Sequence, residues 1–156
     1  MKTTAWFTGA DTMKHSTLIS LAAALLLGAC VTPSGGAPDA SERGRLSTKM
    51  VNLSSAVNTY FADLTKAPSG SDATILENAT RHDKRLLAPE FQPYVLKVQY
   101  QNPYAVLLLC SKDGTRAIME DAGCSARLDR QVTHVEPCEF TLRVSRGCQV
   151  EGADPQ

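Results

Sequence analysis

The sequence predicts an α+β domain in which two helices pack on a three- to four-stranded antiparallel meander held by disulfides. Three observations predict it: an apolar stripe at steps of three and four over residues 45–66, period-two alternation from residue 94 onward, and four cysteines crowded into residues 110–148.

In the first helix Leu46, Met50, Leu53, Val57, Tyr60, Phe61 and Leu64 form one continuous stripe. It covers fewer than three heptads, too few for a coiled coil, so it is expected to pack on the protein's own sheet. Pro68-Ser69-Gly70 ends this helix. Thr74-Ile75-Leu76-Glu77 fits a capping box for a second helix that buries Ile75, Leu76, Ala79, Leu86 and Leu87 and stops at Pro89. Residues 94–100 then alternate as a strand, Asn102-Pro103 marks a turn, and residues 104–110 form the next strand. The unbroken apolarity of Val106 to Leu109 points to a central strand covered on both faces. Lys112-Asp113-Gly114 is a tight turn into a strand over residues 115–119, and residues 138–144 alternate as a later strand. The domain is expected over residues 43–150, with 151–156 as a frayed tail and no internal repeats.

Cys110, Cys124, Cys138 and Cys148 are an even set, which in a small exported domain signals disulfides. Three pairings exist. Loop-closure entropy favours Cys110 with Cys124 and Cys138 with Cys148, although a straight strand from residue 138 lets Cys148 return only after a reversal near Ser145-Arg146-Gly147. A four-thiolate metal site is the competing reading, but the spacings of 13, 13 and 9 intervening residues contain no Cys-x-x-Cys knuckle. No metal or other cofactor is expected.

Ahead of the domain, residues 18–27 are an apolar run of ten, preceded by Lys14 and His15 and followed by Gly28-Ala29-Cys30. Ten helical residues span about 15 Å, half the hydrocarbon thickness, so the run is too short for a permanent membrane span and has the layout of a signal peptide. Asp11 opposes the usual charge bias, which makes Met13 the more natural first residue of a signal peptide ending at residue 29. Leu27-Gly28-Ala29-Cys30 resembles the lipobox of bacterial lipoprotein precursors, a resemblance confined to residues 13–30. It implies that Cys30 becomes the first mature residue, carrying a diacylglyceryl group on sulfur and often a further acyl chain, palmitate for instance, on its amine. Two or three chains make such an anchor effectively permanent, whereas one binds only marginally. Val31 stands where the enteric members place the Asp of inner-membrane retention, which implies the outer membrane, facing the periplasm. Residues 30–42 hold that lipidated cysteine and a Pro- and Gly-containing tether.

Chemistry-bearing patterns are few. The 16 Lys+Arg balance 16 Asp+Glu with no long basic run, which excludes an electrostatic nucleic-acid binder. His82 and His134 stand in no zinc-protease or serine-hydrolase motif and read as exposed structural histidines, and an enzyme is not expected. Arg81, Lys84 and Arg85 suit the negative end of the second helix, or contact with an anionic envelope polymer or headgroup. Glu120, Asp121 and Asp129 flank Cys124 and are expected to form a salt-bridged loop with Arg127 and Arg130. The function expected is that of a membrane-anchored envelope lipoprotein with a non-catalytic binding or scaffolding role, its partners being the bilayer through acylated Cys30 and an envelope protein or polymer. Two alternatives stand beside it: an inhibitor or immunity-type lipoprotein that inserts residues 121–124 into a toxin or cell-wall hydrolase, and a subunit of an envelope secretion or transfer apparatus.

Overall fold

A computed structural model describes residues 38–64 and 66–155 of the chain; the expected signal peptide, Cys30 and most of the tether lie outside them. The described residues form the expected α+β fold, with helices on one face of a four-stranded antiparallel sheet and a disulfide-bonded C-terminal segment on the other. No helix among them is long and apolar enough to cross a membrane.

Helix α1 runs Ala40–Ala62, three residues earlier than the expected domain start at 43. Its cap explains the start: the Asp39 carboxylate accepts from the Glu42 backbone N–H at 2.8 Å, which satisfies one orphan donor of the first turn. Leu46, Met50, Leu53 and Val57 are fully buried and Phe61 nearly so, while Tyr60 and Leu64 sit half-buried at the edge of the stripe. Helix α2, Asp72–Ala79, is shorter than predicted and begins earlier. Ser71, not Thr74, is its cap, accepting from the Thr74 N–H at 3.3 Å. Thr80 ends it by donating its hydroxyl to Leu76 O at 2.8 Å. The predicted continuation becomes two 3₁₀ turns, Lys84–Leu86 and Pro89–Phe91, so Pro89 opens a turn and does not stop a helix.

The strands β1 (Val95–Gln101), β2 (Tyr104–Cys110), β3 (Ala117–Asp121) and β4 (Arg130–Gln131) pair in sequence order as an antiparallel meander. Every residue from Ala105 to Cys110 is fully buried, one residue further at each end than the apolar run Val106 to Leu109 predicted. Ala105, Leu107 and Leu109 join the core under α1 and α2. Val106, Leu108 and Cys110 face the other way and are covered by Val132, Cys138, Phe140 and Leu142. Between β2 and β3, Asp113 organises the turn, accepting from the Ser111 hydroxyl at 2.5 Å and the Thr115 N–H at 3.1 Å.

The strand expected over 138–144 forms only at its end, where β5 (Arg143–Ser145) pairs with β6 (Gln149–Glu151) as a separate hairpin. The physical reason lies in one buried side chain. Glu120, fully buried on β3, accepts from the Thr141 N–H at 3.0 Å and the Leu142 N–H at 2.8 Å, so a carboxylate satisfies backbone donors that a neighbouring strand would otherwise have taken. Past β6, Asp154 accepts from the Gln131 N–H at 2.8 Å and its own N–H donates to Asp129 O at 2.8 Å, which ties down residues expected to fray.

Candidate functional site

The predicted site residues other than Cys30 begin with the four cysteines, and the structure pairs them differently from expectation. Cys110 bonds Cys138 and Cys124 bonds Cys148, with Cα separations of 5.7 and 5.5 Å. Strand direction overrides loop entropy here. Cys110 ends β2 beside Ala117, and β3 then runs antiparallel toward the other end of the sheet, carrying Cys124 on the order of 20 Å away. The segment from Cys138 to Cys148 crosses the sheet face between these two points and is fastened at both. The bridges overlap in sequence, closing loops of 28 and 24 residues.

The acidic cluster is a clamp between sheet and helix. Asp121 is fully buried and Asp129 nearly so. Asp121 Oδ1 accepts from the Asp129 N–H at 3.0 Å, its Oδ2 accepts from the Gly123 N–H at 3.1 Å, and Oδ2 is hydrogen-bonded to the Ser54 hydroxyl of α1. Asp129 Oδ2 accepts from the Ala122 N–H at 2.7 Å. Burial pushes the Asp121 carboxyl up to about 6 against the donors that favour its charged form, and burial raises Asp129 as well. Ser54 Oγ also lies 2.9 Å from Met50 O, so a protonated Asp121 can donate to Ser54 while Ser54 donates to the helix carbonyl.

The clamp seats residues 121–124 against α1 and corrects the expectation of an inserting loop. Asn58 Nδ2 donates to Ala122 O, its Oδ1 accepts from the Ala105 N–H at 2.8 Å, and Gly123 lies directly against the Ser54 backbone. The exposed tip is instead Ser125-Ala126-Arg127. The expected ion pairs form only in part. Arg130 reaches Glu120 at 3.9 Å and bonds Glu136 at 2.6 Å, whereas Arg127 makes no ion pair among the described residues. Arg85 pairs with Asp83 at 2.9 Å in the 3₁₀ segment and not at a helix end. His82 is exposed and accepts from Arg81 Nε at 2.9 Å through its Nε2. Among the described residues no group of three or more His, Cys, Asp or Glu side chains is placed to hold a metal ion.

His134 borders a cleft of about 370 Å³. Its floor is Ala117, Ile118 and Val132, all buried. Its rim carries Arg43 from the first turns of α1, Arg116 from the start of β3, and His134 and Val135 from the segment after β4; no Asp or Glu lines it. Ser111 also lines it, but its hydroxyl donates to Asp113 and accepts from the Arg116 N–H at 3.0 Å, which holds it in the turn. Pro38 closes one side, its carbonyl accepting from Arg43 Nε at 2.8 Å. Val135 stands 81% exposed and is the one large apolar side chain so placed among the described residues. An apolar floor under a cationic rim complements an amphipathic anion. The sequence offered only His134 as a pointer, because Arg43, Arg116 and Val135 converge from segments 19 to 92 residues apart. Compared with protein-family models, curated proteins and solved structures, the chain matches none.

Proposed function

We propose that the chain is a bacterial envelope lipoprotein, anchored in the outer membrane through acylated Cys30 and facing the periplasm, whose domain works by binding and not by turnover. The observation that carries this reading is the apolar run of residues 18–27 leading directly into Leu27-Gly28-Ala29-Cys30. The two disulfides support it, because such bonds persist in oxidising compartments such as the periplasm. The binding face is the cleft rimmed by Arg43, Arg116 and His134.

The test is the intact mass of protein purified from membranes, before and after reduction. The expected mass is that of residues 30–156 plus acyl chains, rising by four hydrogens on reduction of the two disulfides. An unacylated chain, or one that retains residues 13–29, overturns the anchor.

A further inference from the structure

We propose that the Cys124–Cys148 bridge is a thiol-exchange site, opened and closed by a dithiol protein that reaches Cys124 from a cleft beside α1, while Cys110–Cys138 stays closed as the structural bond. The proposal rests on the two disulfides and on no property of the anchor. The bridges differ first in access. Cys110 is fully buried and Cys138 is 8% exposed, packed with Leu108, Ala117 and Val132, whereas Cys124 and Cys148 are both half-buried. Exchange needs a thiolate to reach a bridge sulfur, so the first bond is closed to attack until the core opens and the second is not. Cys124 also lines a shallow cleft of about 460 Å³, walled on one side by Val51, Asn52 and Ser55 of α1. No charged side chain lines this cleft. Asp121 and Asp129, the acids nearest to Cys124 in sequence, are buried and engaged by Ser54 and by backbone N–H groups of the loop, so no carboxylate lines the path of an incoming thiolate. The second difference is strain. Cys148 holds φ at +58°, the one non-glycine residue in the left-handed region among those described. Opening the bridge lets residue 148 leave that region, which favours the reduced state of this bond about tenfold. Loop length does not separate the two bonds, because loops of 28 and 24 residues differ in closure by only about 1.3-fold.

In the opening step a thiolate of the partner attacks the Cys124 sulfur, the S–S bond breaks, and its electron pair leaves on the Cys148 sulfur, which takes a proton from solvent. The partner's second thiol then loses its proton, attacks the mixed disulfide and releases Cys124 as a thiolate that is protonated in turn. The bridge gains two electrons and two protons while the partner's dithiol becomes a disulfide, and the reverse sequence closes the bridge. The release is local: residues 122–127 lose their tie to the β5–β6 hairpin and keep the Asp121 and Asn58 hydrogen bonds at α1. To test this, the oxidised mature protein is exposed to reduced thioredoxin, quenched with N-ethylmaleimide at intervals, and its labelled cysteines are mapped in peptides. Cys124 and Cys148 should be labelled at least about tenfold sooner than Cys110 and Cys138. Thioredoxin lacking its second thiol should be trapped on Cys124. Ser55→Trp, at an exposed position of α1, puts an indole into the cleft and should slow labelling of Cys124 and Cys148 about tenfold, with Cys110 and Cys138 unaffected. Opening the bond should speed amide exchange over residues 122–127 and 143–151 and leave α1 and β2 protected. Labelling of all four cysteines at one rate, capture on any cysteine other than Cys124, or an unchanged rate in Ser55→Trp overturns the proposal. So does loss of protection throughout the domain on reduction, which would make Cys124–Cys148 a bond the whole fold requires.

Discussion

Gly123 is where the disulfide-bearing loop meets α1, and replacing it by alanine separates two effects that usually arrive together. Its φ of +65° costs an L side chain about 1.5 kcal/mol. A Cβ there would also lie 2.5 Å from Ser54 C and 2.7 Å from Ser55 N, both backbone atoms of α1. The loop would have to withdraw by about half an ångström to reach the shortest separation real Cβ atoms show, against the Asn58 and Asp121 hydrogen bonds that hold it. Overpacking of this kind costs about 2 kcal/mol, for a total near 3.5 kcal/mol. Gly147 provides the control: its φ is +76°, yet a Cβ there meets nothing within 4 Å. Gly147→Ala should therefore cost about 1.5 kcal/mol, from backbone strain alone. For a domain of this size about 1 kcal/mol moves Tm by roughly 4 °C, so the pair should differ by about 8 °C. Urea and thermal unfolding of the oxidised protein measure the difference. Equal losses in the two variants would refute the seating of residues 121–124 on the helix.

Three further outcomes follow from the packing. Asp121, held protonated to about pH 6 in the fold but not in the unfolded chain, binds more protons when folded, so its contribution declines as pH rises from about 4 to 6, by on the order of 3 kcal/mol; Asp121→Asn should flatten the stability profile across that window, and an unchanged slope in urea titrations at several pH values would place the effect elsewhere. Non-reducing peptide mapping should recover Cys110 linked to Cys138 and Cys124 linked to Cys148, and replacing the first pair by Ala should cost about 3.5 kcal/mol by the loop-entropy relation; a Cys110 to Cys124 peptide contradicts the interleaved arrangement. Ser71→Ala should lower stability by about 1 kcal/mol through loss of the α2 cap while Glu77→Ala leaves that cap intact, and the reverse order in thermal unfolding would restore Thr74 as the cap.

What was legible in the sequence was whatever local spacing determines. The α1 stripe depends on side-chain periodicity and the doubly covered β2 on an unbroken apolar run, and the buried apolar positions from Leu46 to Phe61 and from Val106 to Leu109 follow from them. Ends and caps were less legible, since Ser71 and Thr74 are both good cap residues three positions apart and only the backbone path chooses between them. The cysteine pairing was hidden for a different reason: counting residues measures chain length, whereas antiparallel β2 and β3 place the ends of a 13-residue spacing at opposite ends of the sheet. Residues 138–142 alternate like a strand because one side of them does face the core, yet the Thr141 and Leu142 N–H groups donate to Glu120, a partner 21 or 22 residues earlier that no periodicity reveals. The same applies to Ser54 and Asp121, 67 residues apart. A buried polar side chain gives no local sign of the backbone it will satisfy, so the interactions that seat the C-terminal segment and the cysteine loop, and with them the cleft at the far end of β3, emerge only when the sheet is assembled.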